Sequence, residues 1–192
     1  IQERPEIDRW VISLLNTLIK NDDDDYAQYE PTNAARKIQE YVDEHLSNWY
    51  VRLCRRRFWK GEYSKDKISA YQTLYTCLIE ISKMMAPVAP FFSDWLYKNL
   101  DGSTQKEGIE SVHLADFPKY NESLVDKDLE DRMEMAQTTC SLILSLRKKE
   151  RLRVRQPLNK VIIPVFNAET ERQFNLVRDL ILSEVNVKDL EL

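Results

Sequence analysis

Glycine is nearly missing from this chain, with three residues in 192. Phosphate-cradling loops and turn-rich all-β sandwiches both use glycine repeatedly at positive φ, so both are disfavoured and a mainly helical fold is expected. Histidine is scarcer still: His45 and His113 are the only two, which leaves zinc chemistry without ligands. The three cysteines, Cys54, Cys77 and Cys140, are odd in number and widely spaced. Such a set forms neither a disulfide framework nor a Cys-x-x-Cys metal pair, and a reducing compartment is expected. No apolar run approaches the roughly 18 residues needed to cross a bilayer, and no signal peptide opens the chain, so no membrane partner is expected. The chain starts at Ile1 without a methionine and enters an amphipathic segment almost at once, as an excised domain would. There is no Gly-x-Ser-x-Gly, no glycine-rich nucleotide loop before a lysine, no histidine pair and no His–Glu motif, so no catalytic residue is assigned.

What is present is enough apolar material for a real core, with 43% hydrophobic residues including nineteen aromatic ones. Apolar residues recur at helical spacing over 5–20, 32–46, 64–85, 91–100 and 126–150, which predicts five helices. Pro87 and Pro90 separate the third from the fourth. The run NDDDDYAQYEP at 21–31 is expected to interrupt the first helix as a solvated surface. It lacks the alternating oxygen ligands, sixth-position glycine and twelfth-position glutamate of a calcium loop. Beyond residue 150 the pattern changes: 160–168 is β-branched, 169–185 helical and 186–192 alternating. Strand, helix, strand is the opening of a small α/β unit, which two strands and one helix leave truncated. The expected organisation is therefore a helical bundle over residues 1–152, followed by the start of a small α/β junction over 153–192.

The net charge of −4 hides an asymmetry. Residues 48–60 carry five cations and no acid, and residues 147–160 carry seven cations against one acid, so the remainder of the chain is strongly acidic. A polyanion can meet these two segments while the rest of the surface repels it. If 48–60 is an α-helix, a turn of about 100° per residue gathers Trp49, Tyr50, Val51, Leu53, Cys54 and Phe58 on one apolar arc. Arg52, Arg55, Arg56 and Lys60 then fill the opposite arc, with Trp59 among them. Trp59 either packs on a neighbouring helix beneath the arginine stems or offers its ring to an unstacked base. Arg57 falls within the apolar arc, where an ion pair with a carboxylate is expected rather than an RNA contact.

In the second run, Lys148 and Lys149 close a helix, where cations also offset its negative end. Arg151, Arg153 and Arg155 alternate with Leu152 and Val154, which reads as an extended strip with a cationic side suited to phosphates along a backbone. DNA is disfavoured, because no helix-turn-helix, basic zipper or finger is recognisable.

Five stretches together resemble one known family: DRWVISLLNTLI at 8–19, VDEHLSNWYVRLCRRRFW at 42–59, TLYTCLIEISKMMAPVAPFFSDWLYKNL at 73–100, SVHLADFP at 111–118 and RVRQPLNKVIIP at 153–164. They are similar to the region that follows the catalytic core of the isoleucyl-tRNA synthetases, in the class I aminoacyl-tRNA synthetase family. The valyl, leucyl and methionyl enzymes share parts of the first and third stretches, and the valyl one is the alternative identity. The resemblance implies a helical bundle that receives the anticodon stem-loop of tRNA(Ile). It also implies a whole enzyme, cytoplasmic and monomeric, that uses ATP and Mg2+ and contacts this region through its catalytic domain. The His-Ile-Gly-His and Lys-Met-Ser-Lys-Ser signatures of that domain are not in these residues, so binding without catalysis, and no cofactor, is expected here. Trp10, Asn48, Trp49, Tyr50, Arg57, Pro87, Pro90, Phe91, Gln156 and Pro157 match the family signature and are read as structural. Arg52, Arg55, Arg56, Trp59, Lys60, Lys148, Lys149, Arg151, Arg153 and Arg155 are the candidate tRNA contacts. The rival reading is an interdomain module that touches no RNA.

Overall fold

The computed structural model describes residues 3–60, 62–102 and 104–192. The chain divides into two compact units, residues 1–126 and 127–192. The first is all helical: α1 (Glu6–Ala27), α2 (Pro31–Glu40), a π-helical segment (Tyr41–Val51), α3 (Arg55–Trp59), α4 (Lys65–Met85), α5 (Pro90–Asp101) and two short 3-10 turns. The second holds α6 (Lys127–Lys149), β1 (Leu158–Ile162), α7 (Ala168–Val185) and β2 (Val187–Glu191). The mainly helical architecture with a small terminal α/β element is the one that the sequence predicts.

α1 is the centre of the first unit and packs on α2, α4 and the π segment. Its buried face runs Trp10, Val11, Ile12, Leu15, Leu18 and Ile19, the 3.6-residue spacing that drives an amphipathic helix against its neighbours. Tyr41 reaches in from the π segment and donates its hydroxyl to the Val11 carbonyl at 2.9 Å. The His45 ring stands edge-on to Trp10 with centroids 5.9 Å apart.

The aspartate run does not interrupt α1, which continues to Ala27. Tertiary contacts override the local repulsion: Lys37 lies 2.7 Å from Asp25, and Tyr26 donates to the Met84 carbonyl at 3.0 Å. Asp23 and Asp24 are exposed, but Asp22 is fully buried, and neither of its carboxylate oxygens has a hydrogen-bond partner. Burial, seconded by nearby Asp25 and opposed by Lys37, pushes its pKa up to about 7.

The second predicted helix is likewise extended. α2 runs directly into the π segment, whose wider turn brings the consecutive residues Trp49 and Tyr50 both inward. The predicted third, fourth and fifth helices are found as α4, α5 and α6. At the start of α4, the Ser64 hydroxyl accepts from the Lys67 amide at 3.2 Å, an N-cap that satisfies one of the orphan donors.

At the Asp8 carboxylate, α1, the π segment, α3 and α4 meet. Asp8 is fully buried and accepts two bonds from the Arg57 guanidinium, at 2.6 and 2.8 Å. It also accepts from the Tyr50 hydroxyl at 2.9 Å and the Ser69 hydroxyl at 2.8 Å. Arg57 has a second carboxylate in Asp66, with Nε 3.0 Å from Oδ2. The ion pair expected of Arg57 is thus a double one.

In the second unit β1 and β2 are parallel, with Leu158 opposite Val187 and Ile162 opposite Glu191, and α7 is the crossover between them. Asn167 caps α7 by accepting from the Thr170 amide at 2.7 Å. The first strand lies earlier than predicted and stops before Pro164, which has no amide hydrogen to give a ladder. α6 packs on α7, and Phe174, Val177, Ile181, Val185, Val187 and Leu190 are buried.

Two outcomes follow from these buried carboxylates. Arg57→Met strands the Asp8 charge in the interior and is expected to lower unfolding free energy by about 3–5 kcal/mol, read as a denaturant midpoint shift. Adding Asp8→Asn to that variant should recover part of the loss. A raised Asp22 pKa means that the fold holds this proton more tightly than the unfolded chain does. The stability it carries is full below the ordinary value of 3.8 and is lost as pH rises to about 7. Asp22→Asn is therefore expected to stabilise the chain by roughly 2 kcal/mol at pH 8 and to have little effect near pH 4, measured by thermal melting.

Candidate nucleic-acid interface

The first basic stretch is not one ideal helix. The π segment ends at Val51, the backbone breaks at Cys54, and α3 begins at Arg55. The inside and outside partition nevertheless follows the predicted arcs. Trp49, Tyr50, Cys54 and Phe58 are buried, Val51 and Leu53 are half-buried, and Arg52, Arg55, Arg56, Trp59 and Lys60 are exposed. Burial pushes the Cys54 thiol up to about 11 against the pull of the Arg57 guanidinium 3.3 Å away, which leaves it an inert core group. The hydrogen bonds that Arg57 donates to Asp8 hold it above the ordinary arginine range.

The anchor for the outward cations is the aromatic cluster beneath them. The Phe58 ring meets Tyr71 at 5.4 Å and Tyr50 at 6.2 Å, and the Trp59 ring meets Phe58 edge-on at 6.0 Å. Trp59 is 69% exposed all the same, and the Arg55 guanidinium lies 5.9 Å from its ring centroid. Packing beneath the arginine stems therefore covers only a minor part of this side chain. Arg52 donates to the Asn48 carbonyl at 2.6 Å. Among the described residues, Arg55, Arg56 and Lys60 make no ion pair with a carboxylate. Further along, and outside the arcs that helical spacing over 48–60 predicts, Tyr63 is 82% exposed with Lys67 Nζ 5.4 Å from its ring centroid. The signal was an aromatic residue between Lys60 and Lys65, four positions after Trp59.

The second basic stretch departs further from expectation. Residues 151–155 form turns rather than an extended strip. α6 ends in a Schellman motif: the Arg151 amide donates to the Lys148 carbonyl at 3.1 Å and the Leu152 amide to that of Arg147 at 2.8 Å. The closure forces Arg151 into the left-handed region at φ 56°, where glycine is the usual occupant. Arg147 is buried. It donates to the Val185 and Asn186 carbonyls at 2.9 and 3.0 Å and to the Gln156 carbonyl at 3.0 Å. Its cation thus offsets the negative end of α7 instead of its own helix. Lys160 is taken by Glu191 at 2.6 Å. What remains outward is Lys148, Lys149, Arg151, Arg153 and Arg155, all exposed and, among the described residues, without a carboxylate partner.

The signature residues separate into two groups. Trp10, Trp49, Tyr50 and Arg57 serve the core, while Asn48, Pro87, Pro90, Gln156 and Pro157 are exposed. Phe91 is 90% exposed and takes no part in the core. Among the described residues, no group of three or more His, Cys, Asp or Glu side chains is placed to hold a metal, and no helix is long and apolar enough to cross a membrane.

A family model described as the anticodon-binding domain of tRNA ligase matches residues 8–163. The isoleucine–tRNA ligase of Bacteroides thetaiotaomicron is 54% identical over 189 residues, 98% of this chain and 16% of that protein. That of Porphyromonas gingivalis is 55% identical over 188 residues, with 98% and 16% covered. A more distant one from Dehalococcoides mccartyi is 44% identical over 188 residues, 98% of this chain and 18% of that protein. The chain spans about a sixth of the length of these curated relatives.

The geometry around Arg147 separates scaffold cations from outward ones. Arg147→Met removes the donor to the buried Val185 carbonyl and to the part-buried Gln156 carbonyl, and is expected to destabilise the second unit by about 2–4 kcal/mol, seen as faster amide exchange in β2. Lys148→Ala and Lys149→Ala should stay within about 0.5 kcal/mol of the parent in the same measurement.

Proposed function

The chain belongs to the anticodon-binding domain family of tRNA ligases, and from that premise we propose that it binds the anticodon stem-loop of tRNA(Ile). The observation that carries this reading is the set of exposed arginines and lysines gathered in two basic stretches of an otherwise acidic chain. Arg52, Arg55, Arg56 and Lys60 hold phosphates on the first unit, and Lys148, Lys149, Arg151, Arg153 and Arg155 do so on the second. Phosphate contacts fix position without reading sequence. Bases splayed out of the loop then meet Trp59 by stacking and nearby polar groups by hydrogen bonding. A wrong base leaves a buried polar group unpaired, at a cost of roughly 1–3 kcal/mol per contact.

The longer protein is read as an isoleucine–tRNA ligase that activates isoleucine with ATP and Mg2+ and charges tRNA(Ile) in the cytoplasm. This segment contributes binding, acts as a monomer and has the catalytic domain of the same polypeptide as its second partner. Residues 1–152 are assigned to anticodon binding and 153–192 to the start of the C-terminal junction. One observation favours the rival role of interdomain module: α5 holds Phe91, Phe92 and Trp95 in solvent, a surface suited to protein.

Titrating this chain with a tRNA(Ile) transcript across a salt series distinguishes the two roles. Affinity is expected to fall steeply, with a logarithmic slope of about −0.9 for each duplex phosphate neutralised. Arg55→Glu with Arg56→Glu should flatten the slope by nearly two such steps. A flat response, or one insensitive to charge reversal, returns the arginines to the interdomain role. Equal affinity for a transcript with a changed anticodon removes base reading and leaves backbone binding.

A further inference from the structure

Residues 52–67 carry seven cations against two acids, and one of those acids, Asp66, is bound to Arg57. Two aromatic rings stand in solvent within this stretch, Trp59 at 69% and Tyr63 at 82% exposure. Each has its own cation close by. The Arg55 guanidinium is 5.9 Å from the indole centroid, and Lys67 Nζ is 5.4 Å from the phenol centroid. Trp59 meets the buried Phe58 ring at 84° and 6.0 Å, so one contact ties it to the core while most of its surface stays open. Tyr63 immediately precedes Ser64, whose hydroxyl caps α4 through the Lys67 amide, and that cap ties the backbone next to Tyr63 to the residue that supplies its cation.

An exposed ring gains little from water, and a cation beside it offers nothing to a protein core. Together they suit a ligand that has a flat apolar face and an adjoining negative charge. Every nucleotide has both, whatever its base, and stacking on a ring needs the base unpaired. Resting on the RNA reading above, we propose that Trp59 and Tyr63 form a two-ring stacking platform. Each ring takes one unpaired base of a single-stranded RNA loop, while Arg55 and Lys67 hold the phosphates alongside. Tyr63 and Lys67 thereby join the interface as binding residues.

The test uses two RNA probes of equal length, a hairpin with 2-aminopurine in its loop and a blunt duplex. Tyr63→Ala is expected to weaken hairpin binding about tenfold to a hundredfold and to leave duplex binding within about twofold. The change in 2-aminopurine fluorescence on binding should shrink with it. Tyr63→Phe keeps the ring and should retain both the affinity and the fluorescence change, and thermal melting of each variant confirms the fold. Equal losses on hairpin and duplex, or no loss on either, overturn the platform while phosphate binding stands. Failure of the unsubstituted chain to bind either RNA overturns the RNA reading itself and the platform with it.

Discussion

The first unit depends on the buried carboxylate of Asp8. Four donors from three other elements converge on it: two guanidinium nitrogens of Arg57, the Tyr50 hydroxyl and the Ser69 hydroxyl. An ionised carboxylate in the interior is tolerated only when its oxygens are satisfied in this way. Its geometry therefore fixes how α1, the π segment, α3 and α4 meet. The consequence reaches the surface. With Arg57 drawn inward, its neighbours Arg55 and Arg56 are directed outward from the same short helix, and Phe58 is set into the core beneath them. A buried ion pair and an exposed cationic face are two results of one placement.

Each basic stretch divides its cations between fold and surface by the same logic. A cation that meets a buried acceptor becomes part of the scaffold, as Arg57 does with the Asp8 carboxylate and Arg147 with the Val185 carbonyl. Those that meet none stay in water. Charge counts along the sequence therefore overstate the surface potential, because Arg57, Arg147 and Lys160 are spent within the fold. The surviving set still stands against a strongly acidic remainder, the kind of contrast by which a protein surface can orient a polyanion.

Much of this was legible beforehand. Apolar residues at helical spacing located the helices, because burying such a stripe is the main gain a helix makes in a domain. Arg57 could be singled out because a charge on an apolar arc needs a partner. Continuation of α1 through four aspartates was not legible: it depends on Lys37 and Met84, which are distant in sequence. Nor was the π segment, since propensity says nothing of a bond to the fifth residue back. The 151–155 stretch looked extended because alternation of charge and aliphatic residues mimics a strand, whereas the helix closure before it dictates turns. The partners of Arg147 were not legible either, because the Val185 and Asn186 carbonyls that accept from it lie at the far end of α7, nearly forty positions away. The compact units also group α6 with the strands, a matter of packing that periodicity along one helix does not express.

The left-handed backbone at Arg151 sets two demands against each other at a single position. Glycine there would relax the chain reversal after α6, and arginine keeps a guanidinium at the point where the helix gives way to the turn. The residue found is the one that sacrifices local comfort for charge. A homologous chain with glycine at this place would have a quieter corner and a weaker grip on any anion that passes it.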